Sequence, residues 1–201
     1  MTESDERQEK HKIKQQRLKE KVDASIAQAT KDKGLLLVIT GDGKGKSTAG
    51  FGMAARAVGH ELKVAVCQFI KGTWECGERN LLSKHGVEFS VMNTGFTWDT
   101  QNRETDIAAA ETVWADALRF LQDESINLVV LDELTYMMAY DYIAMDRVIE
   151  ALNKRPAMQH VVITGRGCPR EIIELADTVS KIQSVKHAYQ DGVRVQKGID
   201  W

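Results

Sequence analysis

Eight residues, "GDGKGKST" at 41–48, bring three glycines, two lysines and two hydroxyls together. Glycine lets a backbone turn its N–H groups inward with no Cβ in the way, lysine adds charge, and a Ser or Thr oxygen suits a hard cation. A polyphosphate with its Mg2+ matches all three. In the pattern G-x-x-x-x-G-K-[ST], Gly45, Lys46 and Ser47 fit, whereas the leading glycine falls at Thr40. Gly41 and Gly43 then supply the turn, Asp42 and Thr48 complete the loop, and Lys44 is a second cation.

A cation shared with phosphate needs a further protein oxygen. "LVVLDEL" offers Asp132 and Glu133 directly after four apolar residues, and either of them suits direct or water-mediated contact with the metal. Arg166 in "TGRGCP" also follows an apolar run and has the donors to clamp phosphate. Phe96 and Trp98 stand two apart in the polar stretch "NTGFTWDTQNRE", 93–104, either as buried anchors or as a platform for a large flat ligand. Which bond breaks is a separate question. Glu133 as a base would make a P-loop ATPase or small-molecule kinase, but no kinase loop and no N-K-x-D guanine motif accompanies it.

These residues need elements to hold them. Six strand-length runs, 35–40, 63–70, 87–92, 126–133, 160–164 and 178–183, alternate with amphipathic stretches. The clearest helix runs from Glu104 to Asp123, with Ile107, Trp114, Leu118 and Leu121 on one face. Strands apolar on both faces and joined by helices predict an α/β fold of three layers, a mainly parallel sheet between helices. Ligands of such sheets bind at the carboxyl ends of the strands, where "GDGKGKST", Asp132, Glu133 and Arg166 all fall. Residues 1–33 differ: they are charged, and Ile13, Leu18, Val22 and Ile26 form one thin helical stripe. The expected organisation is a helical extension over 1–33 and one α/β domain over 34–201.

Composition narrows the class. A chain of 201 residues, 43% hydrophobic, supports one sizeable core, and a net charge of −2 gives no basic field for nucleic acid. The three cysteines, Cys67, Cys76 and Cys168, form no C-x-x-C pair. The first residues have no apolar signal core and no run of about 18 apolar residues follows, so a cytoplasmic protein with no membrane association is expected.

Taken in order, "TGDGKGKSTA", "GFTWDTQNR", "LVVLDELTYM" and "TGRGCP" closely resemble the P-loop type of ATP:corrinoid adenosyltransferase. The resemblance covers about residues 34–201, including the closing "GVRVQKGIDW", and the leader is similar in character. Ser47 stands where a threonine is often seen, which keeps the hydroxyl. The resemblance implies a P-loop NTPase (RecA-like) architecture and a reaction in which corrinoid Co(I) attacks C5′ of ATP, giving adenosylcobalamin and free triphosphate. It also implies ATP bound in reverse relative to ordinary P-loop enzymes, with Gly41 to Thr48 and Arg166 on the nucleotide. The metal, Mg2+ with Mn2+ as an alternative, falls to Ser47 with Asp132 or Glu133. Lys46 joins Phe96 and Trp98 as catalytic, the aromatic pair excluding the lower axial ligand of the corrinoid. A lid role for the leader, a homodimer and a reduced flavoprotein donor such as flavodoxin are implied as well.

Overall fold

The computed structural model describes residues 3–70, 75–92 and 102–200. The chain divides into two compact units, one ending at Asp32 and one beginning at Lys33. The first is a single helix, α1, Glu3–Gln28, and its described side chains are all exposed. Ile13, Leu18, Val22 and Ile26 fall on it as the spacing requires, and they are 46%, 54%, 47% and 65% exposed.

The second unit carries six strands: β1 Leu36–Thr40, β2 Val64–Gln68, β3 Glu88–Val91, β4 Leu128–Asp132, β5 His160–Thr164 and β6 Thr178–Lys181. They form one sheet in the order β3-β2-β4-β5-β1-β6. Every pair is parallel. Each apolar run of the sequence therefore becomes a strand, and the expected mainly parallel sheet is parallel throughout.

Between the strands lie α2 Lys46–Gly59, α3 Gly77–Ser83, α4 Arg103–Gln122, α5 Leu134–Ala139, α6 Met145–Lys154 and α7 Arg170–Leu175. Strand residues alternate between the two faces, as the two-residue period of a strand demands. Val38, Cys67, Val129, Leu131, Val161 and Ile163 pack with Trp114 and Phe120 of α4, Leu134 and Met137 of α5, and Val148 and Leu152 of α6. Ile39, Val64, Val66, Val130 and Val162 pack on the other face with Phe51 and Ala54 of α2 and Leu82 of α3. Burying each such aliphatic side chain contributes about 1.5–3 kcal/mol, so both layers are fixed to the sheet. The outcome is a three-layer α/β fold.

Helix α4 begins one residue before the expected start, with the Asn102 side chain accepting from the Thr105 N–H at 3.2 Å. Its buried face is also turned. Trp114 and Leu121 are buried as expected, but Ala110, Val113, Ala117 and Phe120 complete the face, while Ile107 and Leu118 lie at its margin. Small alanines let the helix approach the sheet closely, a preference that large-residue spacing alone does not register. β6 is the exposed edge, and its Thr, Ser and Lys side chains suit that position.

The strand order places β5 between β1 and β4, so Thr40, Asp132 and Thr164 end three neighbouring strands. The chain leaves β1 toward β2 on one side and returns to β6 on the other. A crevice for ligand opens at the carboxyl ends of such a sheet.

Candidate active site

The loop after β1 is built by two strained turns that only glycine takes cheaply. Gly41 has φ 102° and lies so close to the Ile182 carbonyl that a Cβ would collide with it. Gly45 has φ 112° and precedes α2, whose first intrahelical bond runs from the Ala49 N–H to the Gly45 carbonyl at 2.8 Å. Between them the Gly43 N–H donates to the Ile182 carbonyl at 2.9 Å, which ties the loop to the segment leaving β6.

Lys46 starts α2 and is only 6% exposed. Its Nζ donates to the Gly43 carbonyl at 2.8 Å, folding the side chain back across the loop. Burial pushes its amine below the ordinary lysine value; Glu133 opposes that shift, Arg166 adds to it, and Asp42 and Asp132 favour the charge. Four residues from three separate stretches thus act on one cation. Ser47 is half-buried in the first turn of α2, while Asp42, Lys44 and Thr48 are exposed. Lys44 is not free: its Nζ pairs with Asp200 Oδ1 at 2.8 Å.

Thr40 occupies the position of the missing leading glycine, and the structure supplies a use for it. Its Oγ1 accepts from the Cys168 N–H at 3.4 Å, joining the end of β1 to the "TGRGCP" turn. That turn is held a second time by Thr135, whose hydroxyl donates to the Arg166 carbonyl at 2.7 Å. Gly165, at φ 139°, leaves no room for a Cβ beside Thr135 and Glu133. Arg166 itself is exposed.

The two carboxylates separate clearly. Asp132 is fully buried, its Oδ1 accepting from the Thr164 hydroxyl at 2.7 Å and its Oδ2 from Gln68 Nε2 at 3.3 Å. Glu133 is half-buried and left-handed at φ 60°, and its N–H donates to Thr164 Oγ1 at 3.0 Å. A non-glycine residue in that region is a local strain, and here it turns the chain sharply from β4 into α5. Tyr136, one turn into α5, is close enough to Glu133 and Arg166 to feel their charge; burial is the larger cause that raises its hydroxyl pKa.

The structure therefore brings together Gly41, Gly43, Gly45, Lys46, Asp132, Glu133 and the Arg166 turn at one edge. Phe96 and Trp98 lie outside the described residues. Gln68, Thr135 and Thr164 are additions that motif reading passed over. Gln68 and Thr164 each close an apolar strand, as Asp132 does, but outside any motif, and Thr135 lies in α5 with no strand-end signal at all.

Among the described residues no group of three or more His, Cys, Asp or Glu is placed to hold a metal ion alone. Ser47, Asp132 and Glu133 offer only oxygens, the donor set of a Mg2+ held jointly with phosphate, so the residues present fit that ion.

A parallel α/β sheet with this glycine loop and a carboxylate strand two places away defines a P-loop nucleotide-binding protein. A family model described as ATP:corrinoid adenosyltransferase BtuR/CobO/CobP matches residues 32–201. The chain belongs to that family. A second model, Cob(I)alamin adenosyltransferase N terminal, matches residues 1–26. The corrinoid adenosyltransferase of Escherichia coli (strain K12) is 62% identical over 193 residues, covering 96% of this chain and 98% of that protein. Its counterpart from Pseudomonas aeruginosa is 48% identical over 203 residues and all of both chains. Among solved structures, flagellar accessory protein FlaH from Methanocaldococcus jannaschii aligns with TM-score 0.44 and 14% identity, over 75% of this chain and 71% of that one.

Proposed function

We propose that the chain transfers the 5′-deoxyadenosyl group of ATP to the Co(I) of a reduced corrinoid, forming adenosylcobalamin and releasing triphosphate. The observation that carries this reading is a buried Lys46, set in the glycine cradle beside Glu133 and Asp132, within a family match that spans the whole α/β unit.

The cradle holds a leaving group. Co(I) is itself a strong nucleophile and gives up no proton, so the step needs no protein base. The C5′–O bond breaks as the Co–C bond forms, and its electron pair leaves on the triphosphate oxygen. Lys46, backbone N–H groups of 41–48 and Arg166 are read as the groups that stabilise that charge. Mg2+, or Mn2+ in its place, neutralises phosphate charge when bound, and Ser47 and Glu133 would hold it. Glu133 is the better direct ligand because both oxygens of Asp132 already accept hydrogen bonds from protein donors. Phe96 and Trp98 are read as the pair that keeps the lower axial ligand off the corrinoid, which makes Co(II) easier to reduce. Residues 1–33 are read as a lid and 34–201 as the adenosyltransferase domain. A homodimer, a reduced flavoprotein donor such as flavodoxin and a cytoplasmic site complete the proposal; among the described residues no helix is long and apolar enough to cross a membrane.

The test incubates the protein anaerobically with MgATP and chemically reduced cob(I)alamin, following the absorbance spectrum and resolving phosphate products. Light-sensitive adenosylcobalamin with an equal amount of triphosphate is expected. ADP without a new cobalt–carbon bond would instead make Glu133 the base of an ATPase or kinase.

A further inference from the structure

Gln68 closes β2 and lies opposite Asp132 in the β2–β4 register, at the edge where the phosphate loop stands. It is fully buried. Its Nε2 donates to Asp132 Oδ2 at 3.3 Å, which fixes the orientation of the amide, and among the described residues Oε1 has no hydrogen-bond partner. A buried oxygen with no donor is destabilising. Thr164 grips Asp132 from the other side and also receives the Glu133 N–H. Asp132 is thus clamped between β2 and β5, and one arm of the clamp carries an unused acceptor.

The geometry points to Gln68 as a positioning residue of the nucleotide site: its N–H orients Asp132, and its Oε1 accepts a hydrogen from water bound to the cation that accompanies the triphosphate. The inference rests on reading this edge as the nucleotide site. An amide fits the position better than a carboxylate. Glutamate here would place two anions within hydrogen-bonding distance, and one would have to hold a proton. Glutamine presents a donor and an acceptor at once, and being neutral it adds no base that could draw a proton from water beside the phosphates.

The experiment measures Mn2+ affinity of the protein–ATP complex by electron paramagnetic resonance of free Mn2+, for wild type and Gln68→Met. Metal-free ATP affinity and the thermal midpoint are measured alongside. Loss of an outer-sphere partner is expected to weaken Mn2+ about tenfold. Metal-free ATP binding should hold, and the midpoint should change little, because losing the unsatisfied oxygen offsets losing the donor to Asp132 Oδ2. Unchanged Mn2+ affinity, or a lowered midpoint with equal losses of metal-free and metal-bound ATP, would overturn the inference and leave Gln68 a packing residue. Gln68→Asn, which keeps the amide but draws it back by one methylene, covers the case in which the methionine variant does not fold. It should lose about threefold in Mn2+ affinity, and wild-type affinity there overturns the inference equally. Wild-type protein that binds no Mn2+ with ATP would bring down the nucleotide-site reading, and this inference with it.

Discussion

The strand-end site and helix α1 are opposite solutions within one chain. At the site, Lys46, Asp132, Thr164 and Gln68 are buried and bound to one another or to the loop before any ligand arrives. Along α1, by contrast, four large aliphatic side chains stand about half exposed or more. Charge is organised in advance and apolar surface is left unspent. The contrast is chemical. A triphosphate is bound by donors whose reorganisation would otherwise be paid for during the reaction, so rigidity there lowers the barrier. A large apolar ligand needs area more than direction, so an apolar stripe can wait for it.

Removing charge from the organised region should have the largest effect. Lys46→Ala takes away the buried cation, and losing a charge-assisted bond of about 2–3 kcal/mol should weaken ATP by roughly 30- to 150-fold in isothermal titration. Corrinoid affinity should hold. An ATP affinity unchanged by the substitution would end the cradle assignment for residues 41–48.

Next comes the aromatic pair. Phe96→Ala with Trp98→Ala should slow adenosylation from Co(II) by about tenfold or more, since a ligand returned to the cobalt lowers its potential. The rate with chemically supplied Co(I) should be largely spared. Equal losses from both starting states would leave the two rings as packing residues.

The unspent surface predicts a smaller and different signature. Deleting residues 1–30 removes the stripe of Ile13, Leu18, Val22 and Ile26 and should raise the corrinoid KM by roughly tenfold, about half the burial energy of one aliphatic side chain or a little more. ATP affinity and the thermal midpoint of the α/β unit should not move. An unchanged corrinoid KM would make α1 a solvated helix and dissolve the comparison.

Legibility in the sequence divides along the same line. The strands announced themselves because parallel strands buried on both faces read as unbroken apolar runs, and "GDGKGKST" did so because few residue types allow its turns. The stripe on α1 was visible from spacing, but its exposure was not, since period alone does not say what covers a face. The different settings of Asp132 and Glu133 were hidden because adjacent residues on a strand differ only in direction, and the left-handed turn at Glu133 is a property of the folded chain. Gln68 and Thr164 were hidden for another reason: each is a single polar residue with no motif, and each gains meaning only when the β2-β4-β5 neighbourhood sets it against Asp132.

The smallest effect lies where the organised site meets solvent. Lys44 and Asp200 form a pair at the surface, Lys44 exposed and Asp200 half-buried, and the Lys44 side chain, followed by the Gln196 N–H, holds the Asp200 carboxyl below its ordinary pKa. For a carboxylate with a depressed folded pKa, the stabilising contribution is complete above the unfolded value and disappears as pH falls through the folded one. The pair is therefore intact at neutral pH and lost only in acid, below the usual aspartate range. If Lys44 turns to phosphate when ATP binds, that contact must first be given up, and Asp200→Asn should tighten ATP by about twofold at neutral pH, in keeping with the small worth of surface pairs. The difference in thermal midpoint between wild type and Asp200→Asn should shrink toward zero as the acid limb is crossed. An ATP affinity that ignores the substitution at neutral pH would show that Lys44 never leaves Asp200 for the nucleotide, and would restrict the working cation of the loop to Lys46.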